Sequence, residues 1–223
     1  MADDNKTGLL GSVRQAFVQR KMARAERQHL ITGEADENRI NRLPPGQRQV
    51  ENWPVLDLGV QPSIDPASWS LRIDGFVLNS QELDFAALKA LPVHEQVCDM
   101  HCVTAWSRFD NRFTGVSTKT LLDAVQPLPS AQHVIFHGAD GYTTNVSLEA
   151  FSAPDAMLAY AHDGQPITRD HGGPVRMLLP QWYLWKSAKW ITRIEFSDVD
   201  KPGFWEVRGY HNEGDPWGEE RYS

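Results

Sequence analysis

Cysteine is scarce in this chain: 223 residues carry two, Cys98 and Cys102. Two thiols cannot build a disulfide framework, and so small a supply fits a reducing compartment better than a secreted scaffold. Long apolar runs are also missing, since no stretch approaches the roughly 18 residues a membrane helix needs. Met1 to Lys21 shows no apolar h-region, no twin arginine and no small-residue cleavage pattern. The expected location is therefore the cytoplasm, with no transmembrane segment. Basic residues are in the minority, 22 Lys and Arg against 29 Asp and Glu, for a formal net charge of -7. That balance argues against general nucleic-acid binding. Neither Gly-x-x-x-x-Gly-Lys nor Gly-x-Gly-x-x-Gly occurs, which removes the phosphate loops of nucleotide triphosphatases and dinucleotide folds. No internal repeat or low-complexity tract is present.

The length suffices for one domain with a proper core and an extension. Residues 1–42 read as the extension. Leu10, Val13 and Phe17 recur at helical spacing among Arg14, Arg20, Lys21, Arg24 and Arg27, and Thr32-Gly33 supply a stop. This is a basic, weakly amphipathic helix, either a solvated arm or a segment that meets a partner or membrane surface.

Residues 43–223 form the domain. Trp69, Leu71 and Ile73 alternate with polar residues as in a strand ended by Gly75. Asp84 can cap a short helix through Leu91, stopped by Pro92. Gln96 to Thr104 reads as a strand and Ser117 to Val125 as a helix. His133–Phe136 and Tyr142–Leu148 flank a hairpin turn. Val175–Leu179 and Ile191–Phe196 are further strands. The tail from Gly203 is irregular, with Trp205, Tyr210 and Trp217 available to pin it. Short strands mixed with short helices indicate an α+β fold.

Four readings compete for the cysteines: two small buried core residues, a zinc site from His94, Cys98, His101 and Cys102, a single thiolate ligand to a cofactor metal, or a nucleophile. On an extended strand Cys98 and Cys102 lie about 13 Å apart, too far to share a zinc ion or a disulfide. For a nucleophile, His101, His133 or His137 is the available base, and the sequence brings none of them beside the sulfur. A thiolate is a soft ligand that cannot hold a transition metal alone, so a cofactor must supply the rest. Downstream, Arg169, His171, Arg176, Lys186, Lys189 and Arg193 form a dense comb of cations. His171-Gly172-Gly173-Pro174 is a turn that exposes backbone N–H groups, and Lys186-Ser187-Ala188-Lys189 lies among Trp182, Tyr183, Trp185 and Trp190. Charges so placed are partly desolvated and call for a counter-anion. The alternative is an ordinary solvated, salt-bridged face.

Three stretches carry a family resemblance: His101-Cys102-Val103-Thr104-Ala105-Trp106-Ser107, the run from Leu158-Ala159-Tyr160 to Val175-Arg176, and Pro180 through Lys189-Trp190. From about Trp53 to Ser223 the chain resembles the molybdopterin-binding oxidoreductase domain of the sulfite oxidase superfamily, in its small bacterial branch. The resemblance implies a mixed single-domain fold around one molybdopterin carrying one molybdenum, with Cys102 as the metal ligand. It implies that His171, Arg176, Ser187, Ala188 and Lys189 hold the pterin and its phosphate, and that Leu56 and Asp57 reach it through backbone. Tyr160 matches a tyrosine near the substrate. Arg108, Arg112 and Arg169 are the candidates for attracting a substrate oxyanion. Ala105-Trp106-Ser107-Arg108 resembles the sulfoxide reductase branch, so both substrate types stay open. With no haem domain and no Cys-x-x-Cys-His, electrons pass to or from a separate partner. The implied activity is two-electron oxygen-atom transfer on a small oxyanion or S/N-oxide; the alternative is a non-enzymatic module that binds molybdopterin or a protein partner.

Overall fold

The computed structural model describes residues 42–223, and the basic helix expected in the arm lies outside them. In chain order the elements are β1 (Arg48–Gln49), β2 (Ser70–Gly75), β3 (Gln81–Asp84), α1 (Phe85–Ala90), β4 (His94–Cys102) and β5 (Trp106–Ser117). Then follow α2 (Thr118–Val125), β6 (His133–Gly138), β7 (Thr143–Ser147), α3 (Leu148–Phe151), β8 (Met157–His162), β9 (Gln165–Pro166), β10 (Arg176–Leu178) and β11 (Ile191–Ser197). They build two sheets with few helices, the expected α+β architecture. One sheet runs β3-β2-β11-β6-β7, and the other runs β1-β5-β8-β10 with β4 added on β5 and β9 on β8.

Local chemistry explains most of these elements. In β2, Leu71 and Ile73 are buried while Ser70 and Arg72 face solvent, the alternation of a half-covered strand. The Asp84 carboxylate accepts from the Ala87 N–H at 2.7 Å and caps α1. Ser117 caps α2 in the same way through the Lys119 N–H, and Gln126 ends that helix in the left-handed region. Strands β6 and β7 form the expected hairpin.

The strand expected over residues 96–104 spans His94–Cys102 instead. Val103 and Thr104 make a tight turn, Ala105 takes a φ of 63°, and the Ala105 N–H returns to the Cys102 carbonyl at 3.0 Å. Cys102 is thus the last residue of β4, paired with Trp106 at the start of β5. The tail does pack, through Trp205 and Tyr210, while Trp217 stays 48% exposed and meets only the edge of His101, with ring centroids 6.2 Å apart.

Candidate functional site

Contacts from outside the hairpin fix its tip, among them one from the Arg48 N–H to the Ala105 carbonyl at 3.2 Å. The Gln47 side-chain amide donates to the Cys102 carbonyl at 3.1 Å, Arg221 donates to the Val103 carbonyl at 2.6 Å, and the Leu184 N–H donates to the His101 carbonyl at 2.9 Å. These contacts reach main-chain oxygens, so the position of Cys102 does not depend on its own side chain. That side chain is 4% exposed, with Sγ 3.2 Å from the Thr104 hydroxyl.

The other cysteine readings lose support here. Both thiols are free, and among the described residues no three His, Cys, Asp or Glu side chains gather as a metal set. Burial pushes the Cys98 thiol up to about 12. His101 turns to the Ser107 hydroxyl at 2.8 Å, and burial lowers it to about 4. His137 pairs with Glu195 at 3.0 Å, and His133 faces Asp200 at 3.7 Å. None of the three imidazoles is directed to Cys102 as a base.

Cys102 opens onto a cavity of about 840 Å³, mouth included, and Leu56, Asp57, Arg176, Ser187 and Lys189 share its wall. Residues as distant in sequence as Trp53 and Tyr210 converge here, around the end of β4, β10 and the loop before β11. Ala188 stands just behind the wall, fully buried, and its carbonyl accepts from the Met177 N–H at 2.8 Å. His171 stacks on the wall residue Trp53, with ring centroids 4.0 Å apart and planes 10° apart. Gly172 lets this turn approach closely: at its φ of 102° an added Cβ would lie 2.8 Å from the Lys189 Cβ. The wall residues the sequence reading missed include Thr104, Asp140, Trp205 and Tyr210. Trp205 and Tyr210 come from the irregular tail, where no periodicity announces a site.

Arg176 is the key electrostatic feature. It is 2% exposed, and its guanidinium donates to the carbonyls of His171 at 2.8 Å and Ser187 at 3.0 Å. Among the described residues no carboxylate pairs with it. Burial alone brings it down to about 10. A buried cation held by carbonyls and by the face of Trp53, 5.3 Å away, is costly until an anion joins it. Two donors beside this cavity are also buried without partners among the described residues, Trp106 Nε1 and His171 Nδ1. A thiol, a buried cation without a counter-charge and two orphaned polar atoms fit an anionic group rich in hydrogen-bonding atoms that carries a soft metal. The molybdenum cofactor has that chemistry.

The comb of cations resolves into three groups. Arg176, Lys189 and His171 serve this cavity. Lys186 turns away to Glu206 at 2.7 Å, and Arg193 pairs with Asp74 at 2.8 Å, so these two follow the salt-bridge reading. Arg169 donates to the carbonyls of Pro62 and Gln61.

Tyr160 is corrected outright. It lines a second cavity with Arg169, and the two cavities have no lining residue in common. Strand parity explains this. Arg176 pairs with Ala159 across β10 and β8, so those two share a face, and Tyr160 points from the opposite one. Two tyrosines line Cys102's cavity instead, Tyr142, whose hydroxyl donates to the Trp185 carbonyl at 2.6 Å, and Tyr210. Arg108 and Arg112 are not on the cavity wall either. Arg108 donates to the Glu51 carbonyl at 3.0 Å and contacts His162 at 3.0 Å, and Arg112 is exposed on β5.

Burial, opposed by Asp170, holds His171 down at about 4 from 6.5. Between these values the unfolded chain binds a proton that the native ring does not. The resulting stability is full above pH 6.5 and is lost as the pH falls through 4. The unfolding free energy of cofactor-free protein, from urea titrations, should fall across this window by on the order of 1–2 kcal/mol, after discounting for the ring's partial exposure. A His171→Gln variant should show a shallower slope; an unchanged slope would assign the acid sensitivity elsewhere.

Residues 58–205 match the model of the oxidoreductase molybdopterin binding domain. The chain is 43% identical over 183 residues to the uncharacterized oxidoreductase YuiH of Bacillus subtilis (strain 168), covering 82% of this chain and 92% of that protein. It is 30% identical over 158 residues to the protein-methionine-sulfoxide reductase catalytic subunit MsrP of Gluconobacter oxydans (strain 621H), covering 63% of this chain and 50% of that one. Its fold is shared with the sulfane dehydrogenase SoxCD from Paracoccus pantotrophus, with a TM-score of 0.57 at 19% identity over 76% of this chain and 57% of that chain. With the domain model spanning most of the described chain and the cavity offering the matching chemistry, the protein belongs to the molybdopterin-binding oxidoreductases of the sulfite oxidase superfamily.

Proposed function

We propose that this protein is a molybdenum-cofactor-dependent oxidoreductase that transfers an oxygen atom to or from a small, uncharged S- or N-oxide couple. The observation that carries this reading is that Cys102 and the uncompensated Arg176 share one cavity wall. When bound, the cofactor supplies the two-electron redox chemistry, and the protein supplies its ligation, orientation and electrostatics. Cys102 contributes the thiolate. Arg176 and Lys189 would hold the cofactor's phosphate, and Trp106 and, behind Trp53, His171 would offer ring nitrogens. Ser187, Leu56 and Asp57 would line its seat, with Ala188 packed behind them.

Two features favour an uncharged substrate over an oxyanion. Arg108, Arg112 and Arg169, the arginines suited to attracting an oxyanion, are not on this wall. The wall is instead rich in aromatic rings, with Trp205 stacked on Tyr210 at 4.8 Å and Trp185 edge-on to Tyr210 at 5.1 Å. The methionine-sulfoxide reductase relative supports the same class. Reducing a sulfoxide consumes two electrons and two protons and releases water, so a buried hydroxyl at the wall has work to do. We assign Tyr210 to hydrogen-bond the oxide oxygen and relay a proton. A separate cytoplasmic electron carrier completes the cycle.

The test is turnover of the loaded enzyme with reduced viologen on a panel of sulfoxides and N-oxides, against sulfite with a dye acceptor. Activity on oxides is expected; activity on sulfite alone would reverse the substrate assignment. Tyr210→Phe should lower kcat by about 10²-fold at unchanged molybdenum content, the usual size of a proton-transfer contribution. Protein free of molybdenum and pterin after expression in a cofactor-competent host would favour a non-enzymatic module.

A further inference from the structure

Tyr160 and Arg169, drawn out by the sequence and unused by the first cavity, belong to a second one of about 1030 Å³, mouth included. Its floor is aromatic, with Phe85 and Tyr160 packed edge to face at 6.3 Å. Ile64, Ile167 and three prolines add apolar wall. Its charges have one sign. Lys89 and Arg169 line it, and no carboxylate does. Burial, and after it Glu95 from outside the lining, raises the Tyr160 hydroxyl. The Lys89 ammonium lies 5.7 Å from the ring centroids of both Phe85 and Tyr160, and among the described residues it has no ion-pair partner. An apolar pocket of this size with a few convergent polar groups has the make-up of a small-molecule site.

We infer that this second cavity binds a small organic anion, a carboxylate carried on a short aryl or alkyl body. The apolar walls require the organic body. Two cations and the Tyr160 hydroxyl require the negative head, which gains charge-assisted hydrogen bonds there. The site is not isolated from the first cavity. Arg169, Asp170 and His171 form a 3-10 turn between the two. Its carbonyls hold the other cavity's wall: Arg169 O accepts from Trp190 Nε1 at 2.7 Å, Asp170 O from Lys189 at 2.5 Å and His171 O from Arg176 at 2.8 Å. An occupant on Arg169 therefore bears on the turn that orders Lys189 and Arg176. This inference stands apart from the proposed reaction and survives its failure.

The experiment is calorimetric titration of the full-chain, cofactor-loaded protein with 4-phenylbutyrate and with its neutral amide. One saturable site is expected for the carboxylate, with the amide at least about tenfold weaker, the size of a charge-assisted hydrogen bond. Lys89→Gln should weaken the carboxylate by a similar factor. Lys89 is exposed on α1, so the substitution leaves folding alone. The indole N–H resonance of Trp190 gives a local readout, shifting on titration of the wild type and not of Lys89→Gln. Absence of saturable heat, equal affinity for acid and amide, or binding undiminished by Lys89→Gln would each overturn the assignment. The last outcome would place the ligand outside this cavity.

Discussion

A Cys102→Ser variant should lose more than about a hundredfold in oxygen-atom transfer while keeping its fold. Serine has nearly the same shape, and the contacts from outside that fix the hairpin tip reach main-chain carbonyls, at His101, Cys102, Val103 and Ala105. The tip should therefore stay in place, and thermal unfolding should move by no more than the roughly 1 kcal/mol typical of a mild substitution. The proposed metal ligand changes completely. A serine oxygen is a hard donor, whereas a thiolate sulfur is a soft one suited to a transition metal. Altering even an outer partner of a metal ligand costs about 10–100-fold in affinity or activity, so removal of the ligand itself should cost more. Pterin content should be largely retained, because Arg176 and Lys189 lie on the wall independently of the sulfur. The measurements are turnover, pterin content and the Mo(V) EPR signal of the loaded protein. An unaltered EPR signal with wild-type turnover would remove Cys102 from the coordination sphere.

The parts of the fold visible in the sequence are those written in local chemistry. The alternation in β2, the Asp84 cap of α1, the Ser117 cap of α2 and the β6–β7 hairpin each need only neighbouring residues. Strands β5 and β8 escaped because their patterns break for identifiable reasons. β5 carries Asp110 at a φ of 55° and an irregular register against β4, which interrupts its period of two. β8 begins with Met157, Leu158 and Ala159, all fully buried, so both of its faces read as apolar. The site divides along the same line. Ser187, Ala188 and Lys189 are contiguous and were found together. The cations were found as a list of charges, but a list does not name partners: Arg193 meets Asp74 119 positions earlier in the chain. Tyr160 and Tyr210 differ by strand parity in one case and by tail packing in the other, and neither property can be read from a single tyrosine.

Lys186→Met should be among the most destabilising single changes in the chain, because it strands a buried carboxylate. Lys186 is 0% exposed. Its ammonium donates to Glu206 Oε1 at 2.7 Å and to the Asn145 carbonyl at 2.8 Å. The same Glu206 oxygen accepts from Thr144 at 2.8 Å and from the Trp185 indole at 3.0 Å, while Oε2 is buried with no partner among the described residues. Removing the lysine leaves that carboxylate as an unpaired interior charge, at a cost of about 3–5 kcal/mol. Domains of this kind hold roughly 5–15 kcal/mol in total, and each kcal/mol moves Tm by about 2–4 °C at this size. A fall in Tm of about 10 °C is therefore expected. Glu206→Gln should cost less. Burial already lowers the Lys186 ammonium's affinity for its proton, so the lysine can become neutral, and the amide oxygen still accepts from Thr144 and Trp185. The double change Lys186→Met with Glu206→Leu should recover a good part of the loss, since replacing both partners of a buried pair with apolar groups is often neutral. The sign of this cycle carries the argument. If Lys186→Met and the double variant unfold at the same temperature, the damage lies in packing rather than in a stranded charge. The pair also anchors the turn that carries Trp205 and Tyr210 to the wall facing Cys102. Lys186→Met should therefore raise KM for the oxide substrate even at temperatures where the variant remains folded.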